Sequence, residues 1–190
     1  MTDFETDVER CLEILEQGGT ILYPTDTVWG IGCDATNAAA VERIYTIKER
    51  PAAKSMIILV ADEKDILQYV ANPNPQIFDF LKNTPKPTTV IYQGAIGIAD
   101  NLVHDDGTVA IRVVQDKFCR HLLKRLRKPI VSTSANISGD PAPKKFMDVL
   151  DYIRTSVDYV VQYRQDDESE AETSAIVKLD RSGNAIYIRS

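Results

Sequence analysis

The sequence predicts an α/β fold, with helices layered around one mixed β-sheet. Two observations predict it. Segments with apolar residues spaced as on one helix face alternate with short runs rich in β-branched and aromatic residues. Those short runs also crowd the second half of the chain, which favours mixed over purely parallel pairing.

The helical spacing i, i+3, i+4, i+7 occurs at Val8/Cys11/Leu12/Leu15, Ala40/Val41/Ile44/Ile47, Cys119/Leu122/Leu123/Leu126 and Phe146/Val149/Leu150/Ile153. Gly18–Gly19 closes the first helix, because glycine accepts the left-handed conformation that follows a helix C-terminus. A weaker helical stretch covers Ile77 to Leu81. Strands are expected at Thr20–Tyr23, Met56–Val60, Thr89–Tyr92, Val109–Val113, Pro129–Val131, Tyr159–Val161, Ile176–Leu179 and Ala185–Ile188. Residues Gln165–Thr173 form an acidic run that reads as a solvated loop.

At 190 residues, with 44% hydrophobic and 26% charged, the chain suits a single domain over 1–190 with a substantial core. No apolar run reaches the ~18 residues of a membrane span. The acidic MTDFETDVER start lacks the basic and apolar regions of a signal peptide, so a cytoplasmic location is expected. Cys11, Cys33 and Cys119 are scattered, with no C-x-x-C spacing, which argues against a disulfide framework or a zinc site. A net charge of −6 disfavours tight binding to many RNA phosphates and leaves room only for weak tRNA or RNA contact through a local basic patch.

The common chemical motifs are missing: there is no phosphate loop, dinucleotide turn, H-E-x-x-H or G-x-S-x-G. Three polar segments remain. Pro24-Thr-Asp-Thr-Val-Trp-Gly-Ile-Gly32 offers hydroxyls at Thr25 and Thr27, with glycines that let backbone approach a ligand. It also reads as a tight turn capped by Asp26. Lys48-Glu-Arg-Pro-Ala-Ala-Lys-Ser55 carries three cations at a helix end, suited either to polyphosphate or to the helix dipole. Ser132-Thr-Ser-Ala-Asn-Ile-Ser-Gly139 holds four hydroxyls and an amide beyond a strand end, where α/β sheets bind ligands.

At Pro24–Gly32, Ile47-Lys-Glu-Arg-Pro51 and Ser132–Gly139 the chain resembles the YrdC-like family. Weaker matches follow in family order at Pro85-Lys-Pro-Thr-Thr89, Gly107-Thr-Val-Ala-Ile-Arg-Val113 and Thr173-Ser-Ala-Ile-Val177. It departs from the usual pattern at Lys86 (Gly), Val114 (Pro) and Ser55-Met56 (Pro-Leu). The resemblance implies a twisted mixed β-sheet with flanking helices and a ligand site in a concave cleft at strand ends. It further implies a threonylcarbamoyl-adenylate synthase working on L-threonine, bicarbonate and ATP, and supplying a threonylcarbamoyl transferase complex that modifies tRNA. The rival reading is a non-enzymatic RNA-binding module.

Carried over by position, Lys48, Arg50, Ser134 and Asn136 are the expected catalytic set. Thr27, Arg112, Ser132 and Ser174 are expected to hold L-threonine, with the stretch around Leu59 lining that pocket. Arg50, Lys54, Thr108, Ser134 and Arg189 are expected at ATP, with Ala142 limited to a backbone contact. Mg²⁺ is expected to arrive on the ATP phosphates, with no protein ligands of its own.

Overall fold

A computed structural model describes residues 3–51 and 56–190; Lys54 and Ser55 lie outside them. The helices are α1 (Glu5–Glu16), α2 (Ala38–Ile47), α3 (Ile66–Tyr69), α4 (Gln76–Lys82), α5 (Lys117–Leu126) and α6 (Asp151–Ser156). The strands are β1 (Ile21–Tyr23), β2 (Gly30–Gly32), β3 (Ile57–Val60), β4 (Thr88–Gln93), β5 (Thr108–Val113), β6 (Ile130–Ser134), β7 (Tyr159–Val160), β8 (Ala175–Leu179) and β9 (Ala185–Arg189).

The strands form one sheet in the order β7-β1-β2-β6-β3-β5-β4-β8-β9. β1/β7, β3/β5 and β4/β8 pair parallel, and the other neighbours pair antiparallel. The mixed sheet expected from the sequence is therefore present. The apolar helix stripes face inward: Val8, Cys11 and Leu15 of α1, Val41 and Ile44 of α2, and Phe118, Leu122 and Leu123 of α5 are all buried. Each such side chain contributes about 1.5–3 kcal/mol when taken fully out of water.

The end of α1 was legible. α1 closes with Gly18 N–H on the Leu15 carbonyl (3.0 Å) and Gly19 N–H on that of Ile14 (2.8 Å), with Gly18 left-handed. α2 closes the same way without glycine. Glu49 is left-handed at φ 50°, and Arg50 N–H reaches the Tyr45 carbonyl at 2.9 Å.

Several expectations change. The segment Gly30–Gly32 is a strand, not part of a loop. A Cβ on Gly32 would stand 2.5 Å from the Val131 carbonyl and 2.7 Å from the Tyr23 ring, so this glycine makes room for protein rather than ligand. β6 runs on through Ser134, because Ser132 pairs with Ile57 and Ser134 with Gly30. The periodic stretch from Phe146 is a 3-10 turn, then extended residues Val149 and Leu150, and only then α6. The Asp148 carboxylate accepts the N–H groups of Lys144 (3.2 Å) and Lys145 (3.0 Å), which closes a turn in place of a helix.

Candidate active site

Register places the central polar groups in one row across the sheet. Arg112 of β5 pairs with Thr89 of β4, Thr89 with Ile176 of β8, and Ile176 with Arg189 of β9. On the other side, the β6 exit carries Ser132 and Ser134. Between them lies an inner chamber of about 250 Å³, lined by Thr27, Arg50, Arg112, Ser132, Ser134, Ser174 and Arg189 among others. An outer chamber of about 520 Å³ adjoins it, with Thr27 and Thr173 lining both.

Arg112 is only 3% exposed, and neither its Nε nor its Nη2 has a hydrogen-bond partner. Asp26 does not cap its own turn, as the sequence suggested. Its Oδ2 accepts the Gln115 N–H at 3.0 Å, and its Oδ1 stands 3.2 Å from Arg112 Nη2. Where the resembling family usually has proline, Val114 uses its N–H on the Val60 carbonyl at 3.1 Å, which extends the β3–β5 ladder.

The Pro24–Trp29 loop is held from within and from outside. Thr25 Oγ1 donates to the Val28 carbonyl at 2.9 Å and accepts the Thr27 N–H at 3.0 Å. Arg164 donates to the Thr25 carbonyl at 2.7 Å and to Asp116 at 2.6 Å. On the far wall, the Ser174 hydroxyl lies 2.8 Å from that of Thr89, which the sequence reading missed. Arg189 Nε and Nη2 donate to the Ser174 carbonyl at 3.0 and 2.8 Å. Burial, and then the Arg112 charge, lower the Arg189 pKa; burial also lowers that of Arg50.

Four expected residues stand behind the chamber wall. Lys48 is 1% exposed, and its Nζ donates to the carbonyls of Ser134 (2.5 Å) and Asn136 (2.6 Å). Burial, and then Arg50, bring its pKa down to about 7. Asn136 Nδ2 donates to the carbonyls of Ile137 and Asp140, folding the loop upon itself. Thr108 turns its hydroxyl to Asp106 at 2.7 Å. Leu59 is fully buried, and Met56 and Ile57 line the chamber in its place. Ala142 is half-buried and lines neither chamber, although Lys144 and Lys145 next to it line the outer one. His104 and Ile91 also line the inner chamber and drew no attention in the sequence.

The acidic run is a wall rather than a free loop. Glu168 and Glu170 pair with Lys145 (2.8 Å) and Lys144 (2.9 Å), and residues 169–173 line the outer chamber.

Fold and site together define a mixed α/β protein whose sheet carries a cleft lined by arginines and hydroxyls. The family model for the Sua5/YciO/YrdC domain, described as telomere recombination, matches residues 13–190. The chain belongs to this family. A threonylcarbamoyl-AMP synthase of Idiomarina loihiensis is 35% identical over 146 residues, which cover 75% of this chain and 78% of that protein. One of Pseudoalteromonas translucida is 36% identical over 142 residues, covering 73% and 75%. Among solved structures, P. abyssi Sua5 complexed with L-threonine is 24% identical with a TM-score of 0.83. That match covers 97% of this chain and 54% of the other, so this chain spans about half of the P. abyssi protein. E. coli YciO is 24% identical, with a TM-score of 0.83 and coverage of 97% and 89%. The fold agrees with both.

Proposed function

We propose that the protein is a nucleotidyltransferase that forms L-threonylcarbamoyladenylate and pyrophosphate from L-threonine, bicarbonate and ATP. The observation that carries this reading is the inner chamber, where a buried guanidinium with two unmatched donors faces a ring of hydroxyls. A cation of that kind suits the carboxylate of an amino acid. The chamber lies below the roughly 300–1,000 Å³ of drug-sized sites, which suits one small amino acid beside a nucleotide. The names of the bacterial relatives support the same activity.

In this reading Arg112 takes the carboxylate, and Thr27, Ser132 and Ser174 address the amine and hydroxyl. The ammonium group first gives up a proton, and the free amine then bonds to the carbon of bicarbonate as water leaves. A carbamate oxygen then attacks the α-phosphorus, and the bond to the β-phosphate breaks to release pyrophosphate. Arg50 and Arg189, which line the chamber, and Lys54, which follows Arg50 in the sequence, meet the charge that develops on the phosphates, so positioning and electrostatics supply the catalysis. Lys48 and Asn136 shape the Ser134 loop, while Thr108 and Ala142 act at most through backbone near ATP. The inner chamber is lined by arginines and hydroxyls rather than carboxylates, which fits a Mg²⁺ that would be held by phosphate oxygens and water and would neutralise charge on the triphosphate. The reaction would run in the cytoplasm and feed a transferase acting on tRNA.

The experiment is pyrophosphate release from ATP with each amino acid, with and without bicarbonate. Release is expected only with L-threonine and bicarbonate together. Equal turnover with serine, or turnover without bicarbonate, would overturn the assignment.

A further inference from the structure

Eight buried polar side-chain atoms lack a hydrogen-bond partner among the described residues, and only Arg112 contributes two of them. Buried donors are nearly always satisfied in folded proteins, and charged ones most strictly, so two on one guanidinium point to a ligand. A third buried atom without a partner, Asp26 Oδ1, lies 3.2 Å from Arg112 Nη2. The distance is that of an ion pair, yet neither atom makes a hydrogen bond. Asp26 therefore balances the charge of Arg112 without consuming its donors.

The other Asp26 oxygen is fixed by the Gln115 N–H, three residues beyond Arg112 in the chain. The carboxylate thus bridges the Pro24–Trp29 loop to the segment that leaves β5, beside the strand carrying Arg112. Without it, a buried guanidinium would be uncompensated, and such a charge relaxes toward water or another partner.

We propose that Asp26 is the positioning residue for Arg112, holding the guanidinium in place and open to a carboxylate, so that Asp26 sets selection for carboxylate-bearing ligands. This rests on the reading of the chamber as an L-threonine site. Replacement by Asn retains the size of the side chain. When the Asn oxygen accepts the Gln115 N–H, its NH₂ faces Arg112, donor against donor, and the guanidinium shifts.

The test is calorimetry of L-threonine, L-threoninamide and ATP on the wild type, Asp26→Asn, Arg112→Ala and the double variant. Asp26→Asn should weaken L-threonine about tenfold or more, because one partner of a buried charge pair is lost. Threoninamide and ATP should change little, and the ATP result reports that the variant is folded. In the Arg112→Ala background, Asp26→Asn should cause no further loss. Unchanged L-threonine affinity in Asp26→Asn, equal losses for acid and amide, or additive losses in the double variant would overturn the role. A wild type that binds no L-threonine would overturn the chamber reading and this inference with it. Threonine binding that Arg112→Ala abolishes and Asp26→Asn retains would overturn the Asp26 role alone.

Discussion

Lys48 Nζ donates to the carbonyl of Ser134 at 2.5 Å, tying the end of α2 to the exit of β6. The tie runs both ways, since Ser138 N–H donates to the Lys48 carbonyl at 2.8 Å. A lysine that the sequence offers as a phosphate ligand thus acts on the chamber through the loop that shapes it.

Lys48→Met keeps most of the apolar stem and removes both donors. Two part-buried carbonyls then lose their partner, at a cost of roughly 1–3 kcal/mol. Urea denaturation should show that loss, together with weaker pyrophosphate release. Full stability with lost activity would instead favour direct phosphate contact by Lys48.

The same residue sets a pH dependence. In the unfolded chain a lysine titrates near its ordinary ~10.4, whereas burial and Arg50 bring folded Lys48 to about 7. Between those values the unfolded chain holds a proton that the folded chain does not, so stability rises with pH. Below about 7 both states are protonated and the burial penalty is fully present. Above about 8.5 the buried thiols of Cys11, Cys33 and Cys119, pushed up by burial, work in the opposite direction. Denaturation midpoints should therefore climb between about pH 7 and 8.5 in the wild type and climb less in Lys48→Met. Equal slopes would assign the effect to other groups.

How far the sequence carries can be judged from particular residues. Apolar stripes at 3.6-residue spacing located α1, α2 and α5, because burial of one face decides those helices. The short strand Gly30–Gly32 was not legible, since two of its three residues have no strand preference and only pairing with β1 and β6 makes it one. α3 was missed because it follows a 3-10 turn set by the Asp62 N–H donating to Asp65 at 2.9 Å, not by an apolar stripe. In the site, Thr27, Arg112, Ser132 and Ser174 do meet at one chamber. Thr89 and Asp26 gain their parts only from register and a long-range contact, which local sequence does not encode. Lys48 and Thr108 carried polar side chains of the right kind, but backbone and carboxylate partners inside the fold claim them.

Asp7 offers a test remote from the chamber. It is buried in α1 and accepts the Tyr159 hydroxyl (2.6 Å), the Gln162 N–H (2.9 Å) and the Tyr163 N–H (2.9 Å). Asp7→Ala orphans all three donors where α1 meets the exit of β7. The expected loss is about 3 kcal/mol or more, read from urea denaturation, with L-threonine and ATP affinities unchanged. A loss confined to ligand binding would contradict this account of Asp7.

Hydrogen-atom bookkeeping at Thr27 yields a sharper prediction. Thr25 has one hydroxyl hydrogen, and it goes to the Val28 carbonyl at 2.9 Å. Across the 3.0 Å contact between the two threonine hydroxyls, Thr27 must then be the donor. The Thr27 oxygen faces the chamber with lone pairs only, so it can accept from an amine or a hydroxyl but cannot donate to a carboxylate. Thr27→Val should weaken L-threonine binding roughly three- to tenfold, the worth of one ordinary hydrogen bond. Thr27→Ser, which keeps the oxygen, should stay close to the wild type, and ATP affinity should hold in both. Thr25→Val should lower stability, because the Val28 carbonyl and the Thr27 N–H both lose a partner. It should also free the Thr27 hydrogen, so that the oxygen no longer presents as a fixed acceptor and L-threonine binding weakens too. Calorimetry on the three variants decides the matter: full L-threonine affinity in Thr27→Val would remove this hydroxyl from the site.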